Sequence, residues 1–205
     1  MSYELRLEEM KKARITLGVI AINIIAFIVV NLIRGGKDLI YVAQLNIAIT
    51  QEGEFWRLFT AMFFHANAEH LLANMLSLLF VGSFCELRYP KKMYYPITYI
   101  LSGLIGNLFT LWFEGDFVLS LGASGAIAGL YGSMIIMMRK NSRRFHILSI
   151  IFLANFLINS FAPGIGTWAH IFGLLFGLLM GFYITRTDET REKSQRQAQV
   201  RYIRP

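Results

Sequence analysis

Polar and apolar positions in this chain come in blocks rather than alternating. Long apolar runs are separated by short charged clusters. The runs fall at about Ile15 to Ile33, Glu69 to Cys85, Tyr94 to Phe113, Gly122 to Met138, Ile147 to Phe161 and Thr167 to Thr185. A helix needs about 20 residues to cross the hydrocarbon core of a bilayer, so the pattern predicts six membrane-spanning helices, the fifth of them short. The expected fold class is all-α, a polytopic membrane helix bundle with six transmembrane helices. The expected organisation is an N-terminal cytoplasmic segment (1–14), a six-helix membrane domain (15–185) and a polar cytoplasmic tail (186–205). The first run is longer than a signal core and no A-x-A-like site follows it, so it reads as an uncleaved anchor.

Composition supports this reading. The chain is 55% hydrophobic and 16% charged, where a soluble domain carries about a quarter charged residues. With six spans, 17 of the 20 Lys and Arg residues fall on one side; only Arg34, Lys37 and Arg57 fall on the other. The positive-inside rule then places both termini in the cytoplasm. It also accounts for the net charge of +7 without a nucleic-acid partner, with anionic lipid as a secondary attraction. The single cysteine, Cys85, excludes an internal disulfide and a Cys-rich metal site. The tail "RTDETREKSQRQAQVRYIRP" reads as a polar, frayed end.

Strongly polar side chains are costly within a bilayer, so those that occur there are candidates for function. His70 and Asn74 lie one helical turn apart at the start of the second run, Ser124 opens the fourth, and His170 lies near the start of the sixth. With the N-terminus inside, the even-numbered spans all begin outside, which puts the four residues at one depth. Gly125 and Gly129 on the fourth run, and Gly173, Gly177 and Gly181 on the sixth, repeat at i, i+4. In lipid, small-residue faces of this kind let two helices approach closely. Docking of the fourth helix on the sixth brings Ser124 and His170 within reach, and a histidine beside a serine supplies the base that a hydroxyl needs to act as a nucleophile.

The stretches "GASG" (Gly122 to Gly125), "HANAEHLLAN" (His65 to Asn74) and "AHIFGLLFG" (Ala169 to Gly177) resemble signatures of the rhomboid family of intramembrane serine proteases. "GEFWRLFTAMFFHANAEHLLANM", from Gly53, resembles that family's first external loop and its entry into the second span. The resemblance implies the minimal six-span form, with Ser124 as nucleophile and His170 as general base, a dyad without a third acid. It implies that His70, Asn74 and the backbone N–H of Ser124 hold the oxyanion. It also implies structural roles for His65, Trp56 and Arg57 in the loop, and for Glu86 and Arg88 at the inner end of the second span. Four residues after the serine, where relatives often carry a tyrosine that packs on the histidine, this chain has Ala128. Support for the His170 ring must then come from elsewhere, and Tyr131 and Trp168 are near in sequence.

The expected function is hydrolysis of transmembrane protein substrates near the outer face of the bilayer, with no cofactor and no metal. The alternative is a catalytically silent rhomboid-like protein that binds transmembrane clients. A transporter would be expected to show paired repeats or interrupted helices with acidic residues at mid-membrane. A zinc protease needs H-E-x-x-H, whereas Glu69-His70 is in reverse order and lacks the spaced second histidine.

Overall fold

The computed structural model describes residues 11–138, 154 and 166–203. Helix α1 (Arg14–Phe27) runs on as a π-helical segment, Ile28–Ile33. A loop then carries the short helices α2 (Leu39–Val42), α3 (Asn46–Glu52) and α4 (Arg57–Thr60), with strand β1 (Gln44–Leu45) between the first two. Helix α5 (Ala68–Ser77) passes through a π segment, Leu78–Gly82, into α6 (Ser83–Arg88). Helix α7 (Tyr94–Phe113) leads to strand β2 (Leu119–Ser120), helix α8 (Ser124–Met137) and the long helix α9 (Thr167–Ile203).

Among the described residues, four stretches are long and apolar enough to cross a membrane: Arg14–Ile33, Ala68–Arg88, Tyr94–Phe113 and Thr167–Arg191. The protein is therefore an integral, multi-pass membrane helical bundle. The run expected at Ile147 to Phe161 lies, apart from Ala154, outside the described residues, as do the basic link before it and residues 1–10.

Helix α8 is the centre of the bundle. Every residue from Gly125 to Met134 is buried, as suits a helix that is apolar on all sides. It packs against α7 and α9, which also pack on each other. The outward faces carry exposed Ile22, Ile25 and Leu32 on α1 and its extension, Leu108 and Trp112 on α7, and Leu175 and Leu179 on α9. Apolar surface of this kind suits a lipid solvent. At 1.5 Å per residue the 14 residues of α8 span about 21 Å, short of the ~30 Å hydrocarbon core. A helix of that length that reaches one boundary of the core starts below the other.

Glu86 anchors α1. Its buried carboxylate accepts from the backbone N–H groups of Ile15 (3.1 Å) and Thr16 (2.8 Å) and from the Thr16 hydroxyl (2.9 Å). Those amides have no partner within their own helix, and an acidic group there also complements the helix dipole. The Arg88 guanidinium lies 4.2 Å above the Phe84 ring.

The tail departs from expectation. The sequence reads as frayed beyond Thr185, but α9 continues to Ile203. The segment is rich in Arg, Glu, Lys, Gln and Ala, all good helix formers, and it extends a helix that is already nucleated, so each further residue costs little. The hydroxyls of Thr185, Thr187, Thr190 and Ser194 bond back to carbonyls one turn earlier.

Candidate active site

The loop before α5 and the loop before α8 are tied together, and this fixes the entrance to the site. Strands β1 and β2 pair antiparallel, Gln44 opposite Ser120. Asn46 Nδ2 reaches the carbonyls of Glu114 (3.2 Å) and Gly115 (3.1 Å), and Asn107 Nδ2 donates to Leu58 O (2.7 Å). Arg57 is buried; its Nη1 donates to the carbonyls of Ile40 (2.6 Å) and Ala43 (2.9 Å), and it is paired with Glu54. Trp56 beside it is 55% exposed, so only the second half of the W-R pair points inward.

Gly122 closes the loop in front of Ser124. Its φ of +127° is a conformation that L side chains rarely adopt, and its N–H donates to Ala61 O at 2.9 Å. A Cβ on Gly122 would lie 2.8 Å from His70 Nε2 and 3.7 Å from Ser124 Oγ. The absent side chain thus leaves room for the His70 ring beside the loop that leads into Ser124.

The glycine faces bring α8 and α9 together. A Cβ on Gly125 would lie 3.3 Å from Ala169 O, and one on Gly173 would collide with Gly125 O. A Cβ on Gly177 would lie 2.5 Å from the carbonyl carbon of Gly129, and one on Gly129 would lie 3.2 Å from Gly173 O and collide with Ser102 of α7. With the backbones this close, His170 Nε2 lies 2.6 Å from Ser124 Oγ. That distance is a short hydrogen bond, and at it a neutral imidazole can accept the hydroxyl proton. His170 is 5% exposed.

His70 lies in the first turn of α5, where Asn67 Oδ1 accepts from its backbone N–H at 2.8 Å as an N-cap. Asn74, one turn on, is buried and donates to His70 O at 2.9 Å. His65 is fully buried, and its ring and that of His70 meet in an edge-to-face pair at a centroid distance of 5.0 Å. Burial pushes the His65 imidazole down to about 3, and the neighbouring His70 adds to the shift.

Two features had signals in the sequence that its pattern alone did not single out. Asn31, a polar residue at the end of the first apolar run, donates through Nδ2 to His65 O (3.1 Å) and Ala66 O (3.3 Å). Asn67 is the N-cap. Trp168, a candidate support for the His170 ring, instead joins an aromatic stack across α7 and α9, 4.4 Å from Phe113; Phe109 stacks on Phe172 at 3.6 Å. Tyr131 is fully buried within α8. Among the described residues, no three His, Cys, Asp or Glu side chains converge as a metal site would require.

The profile of the rhomboid domain matches residues 52–187. The chain belongs to the rhomboid family. It is 36% identical over 140 residues to RHOMBOID-like protein 1 of Arabidopsis thaliana, covering 65% of this chain and 36% of that protein. It is 35% identical over 155 residues to "Putative rhomboid protease YdcA" of Bacillus subtilis, covering 73% of this chain and 77% of the relative. A third relative, 34% identical over 136 residues, is named Inactive RHOMBOID-like protein 8 of Arabidopsis thaliana; the match covers 62% of this chain and 38% of that protein. The chain therefore spans little more than a third of the two plant relatives and about three quarters of the bacterial one. Rhomboids are mostly intramembrane serine proteases, but the family includes members named inactive.

Proposed function

We propose that this rhomboid is an intramembrane serine endopeptidase acting on transmembrane protein substrates through a Ser124–His170 dyad. The observation that carries the reading is the 2.6 Å contact between Ser124 Oγ and His170 Nε2. In the proposed reaction the Ser124 hydroxyl donates its proton to His170 Nε2 as Oγ bonds to the scissile carbonyl carbon. The carbonyl oxygen becomes an oxyanion, held by the Ser124 backbone N–H, His70 and Asn74. The start of α8 suits that charge, because its first N–H groups are unpaired and its dipole is positive there. His170 then passes the proton to the departing amine nitrogen as the C–N bond breaks, leaving an acyl ester on Ser124. Water, deprotonated by the same imidazole, hydrolyses the ester.

Water must reach such a site, and the shortness of α8 supports a cut near one membrane boundary, read from the charge distribution as the outer one. Both termini would then be cytoplasmic in a bacterial plasma membrane, with residues 15–185 forming the catalytic domain. A substrate helix keeps its carbonyls hydrogen-bonded, so Gly or Pro near the cut would lower the cost of exposing the bond.

The test is labelling of purified protein with a fluorophosphonate, with the adduct mapped by mass spectrometry, alongside cleavage of a model transmembrane substrate by Ser124→Ala, His170→Ala and the double variant. A working dyad directs the adduct to Ser124 and leaves all three variants at the assay floor, far from additive. No adduct and no cleavage by the wild type would favour the silent, client-binding reading, a possibility raised by the relative named inactive.

A further inference from the structure

His65 is fully buried, yet neither ring nitrogen has a hydrogen-bond partner among the described residues. Burying two polar atoms in this way is costly, and filling space alone would be better served by an apolar side chain. Among the described residues the ring has a specific aromatic neighbour. It meets His70 at a centroid distance of 5.0 Å and an interplanar angle of 68°, edge to face. An imidazole presents a more polarised edge than a benzene ring, and the attraction between aromatic edge and face is directional. The second constraint on the His70 ring is Gly122, whose missing Cβ would lie 2.8 Å from both Cε1 and Nε2.

The backbone that carries His65 is also fixed. Asn31, from the far end of the first apolar stretch, holds the carbonyls of His65 and Ala66, and Asn67 caps the helix at the His70 amide. His65 is therefore a buried ring on an anchored loop, set against the side chain that shares Gly122 with Ser124.

We propose that His65 is a positioning residue, whose edge-to-face contact holds the His70 ring over Gly122 in the pose from which it serves the oxyanion. This rests on the peptidase reading above. His65 does not touch the reacting atoms and acts through His70 alone. A misplacement of about 1 Å in such a group is enough to cost about 10²-fold in rate.

The experiment is a double-mutant cycle on the full chain in detergent, reading kcat and KM for cleavage of a transmembrane substrate, with thermal melts as the control for folding. His65→Ala is expected to lower kcat by about 10- to 100-fold with KM nearly unchanged. His65→Phe, which keeps an aromatic ring for the edge-to-face pair, recovers part of the loss. In a His70→Ala background the His65→Ala change has no further effect on kcat, because the group it positions is gone. An undiminished His65→Ala loss in that background overturns the proposal, and so does a Phe variant no better than Ala. If His65→Ala does not fold, His65→Leu, closer in volume, carries the same cycle. Ser124→Ala is measured alongside. Residual cleavage there sinks the peptidase reading itself, whereas a silent Ser124→Ala with additive His65 and His70 effects sinks only the positioning role.

Discussion

Gly177→Ala tests whether the approach of α8 and α9 sets the distance between Ser124 and His170. The added Cβ would lie 2.5 Å from the carbonyl carbon of Gly129 and 2.6 Å from its Cα, where an ordinary contact is 3.4–4 Å. Both are backbone atoms, so no side-chain rotation relieves the clash, and the helices must part by about 1 Å. His170 lies two turns before Gly177 on the same helix, about 10 Å along its axis. Over that length the helix is stiff, and most of the displacement reaches the site. The Nε2–Oγ separation of 2.6 Å would grow to about 3.6 Å, beyond hydrogen-bond range. The expected loss in kcat/KM is about 10²-fold, equivalent to about 2.7 kcal/mol of transition-state stabilisation. The assay is cleavage of a fluorogenic transmembrane substrate in detergent, with melting followed in parallel. The control is Gly18→Ala on α1: nothing lies within 4 Å of its Cβ position, so activity should be unchanged and helix propensity slightly improved. A folded Gly177→Ala protein with activity within about threefold of wild type, against the 10²-fold expected, would refute the argument.

On the proposed mechanism Asn74→Ala should behave unlike the dyad variants, since it would remove one oxyanion donor and leave the nucleophile, and losses for a single donor are about 10²–10³-fold. On the proposed mechanism activity should fall on acidification, because His170 must be neutral to accept a proton; a rate that rises in folded protein as pH drops would point to a carboxylate mechanism. Acid should also destabilise the fold through His65. Its pKa is lowered on folding from 6.5 to about 3, so the unfolded chain binds the extra proton and stability is lost as pH falls from about 6.5 toward 3, by at most about 1.4 kcal/mol per pH unit. Melting curves of His65→Phe should show a shallower pH dependence in that window, and an unchanged slope would contradict it. Glu86→Ala should lower the melting temperature through loss of the α1 cap, with a cost of about 1–3 kcal/mol for the stranded donors; an unaltered melt would show that the cap contributes nothing.

Hydropathy is a sum of residue-by-residue transfer energies, so the sequence alone placed the apolar helices among the described residues well. The run read as Tyr94 to Phe113 is helix α7 to the residue. The pattern also marked Ser124, His170, His70 and Asn74, because polar groups among apolar neighbours stand out without knowledge of the fold. What the pattern could not decide was which groups face each other. Glu86 was visible as a charge at a helix end, but its partners are the amides of Ile15 and Thr16, about 70 positions away, and only the docking of α1 on α6 reveals them. Asn31 reads as one more polar residue near a membrane boundary until the fold sets it against the loop that carries His65. The π segments at Ile28–Ile33 and Leu78–Gly82 depend on local hydrogen-bond register, which hydropathy does not encode. Polarity alone suggested a frayed tail, whereas helix propensity and an upstream nucleus continue α9 to Ile203. The glycine spacing foretold a close approach of two helices. The 2.6 Å between Ser124 and His170 depends on the register and depth of that approach, and those are set by the contacts of α7, α8 and α9 together.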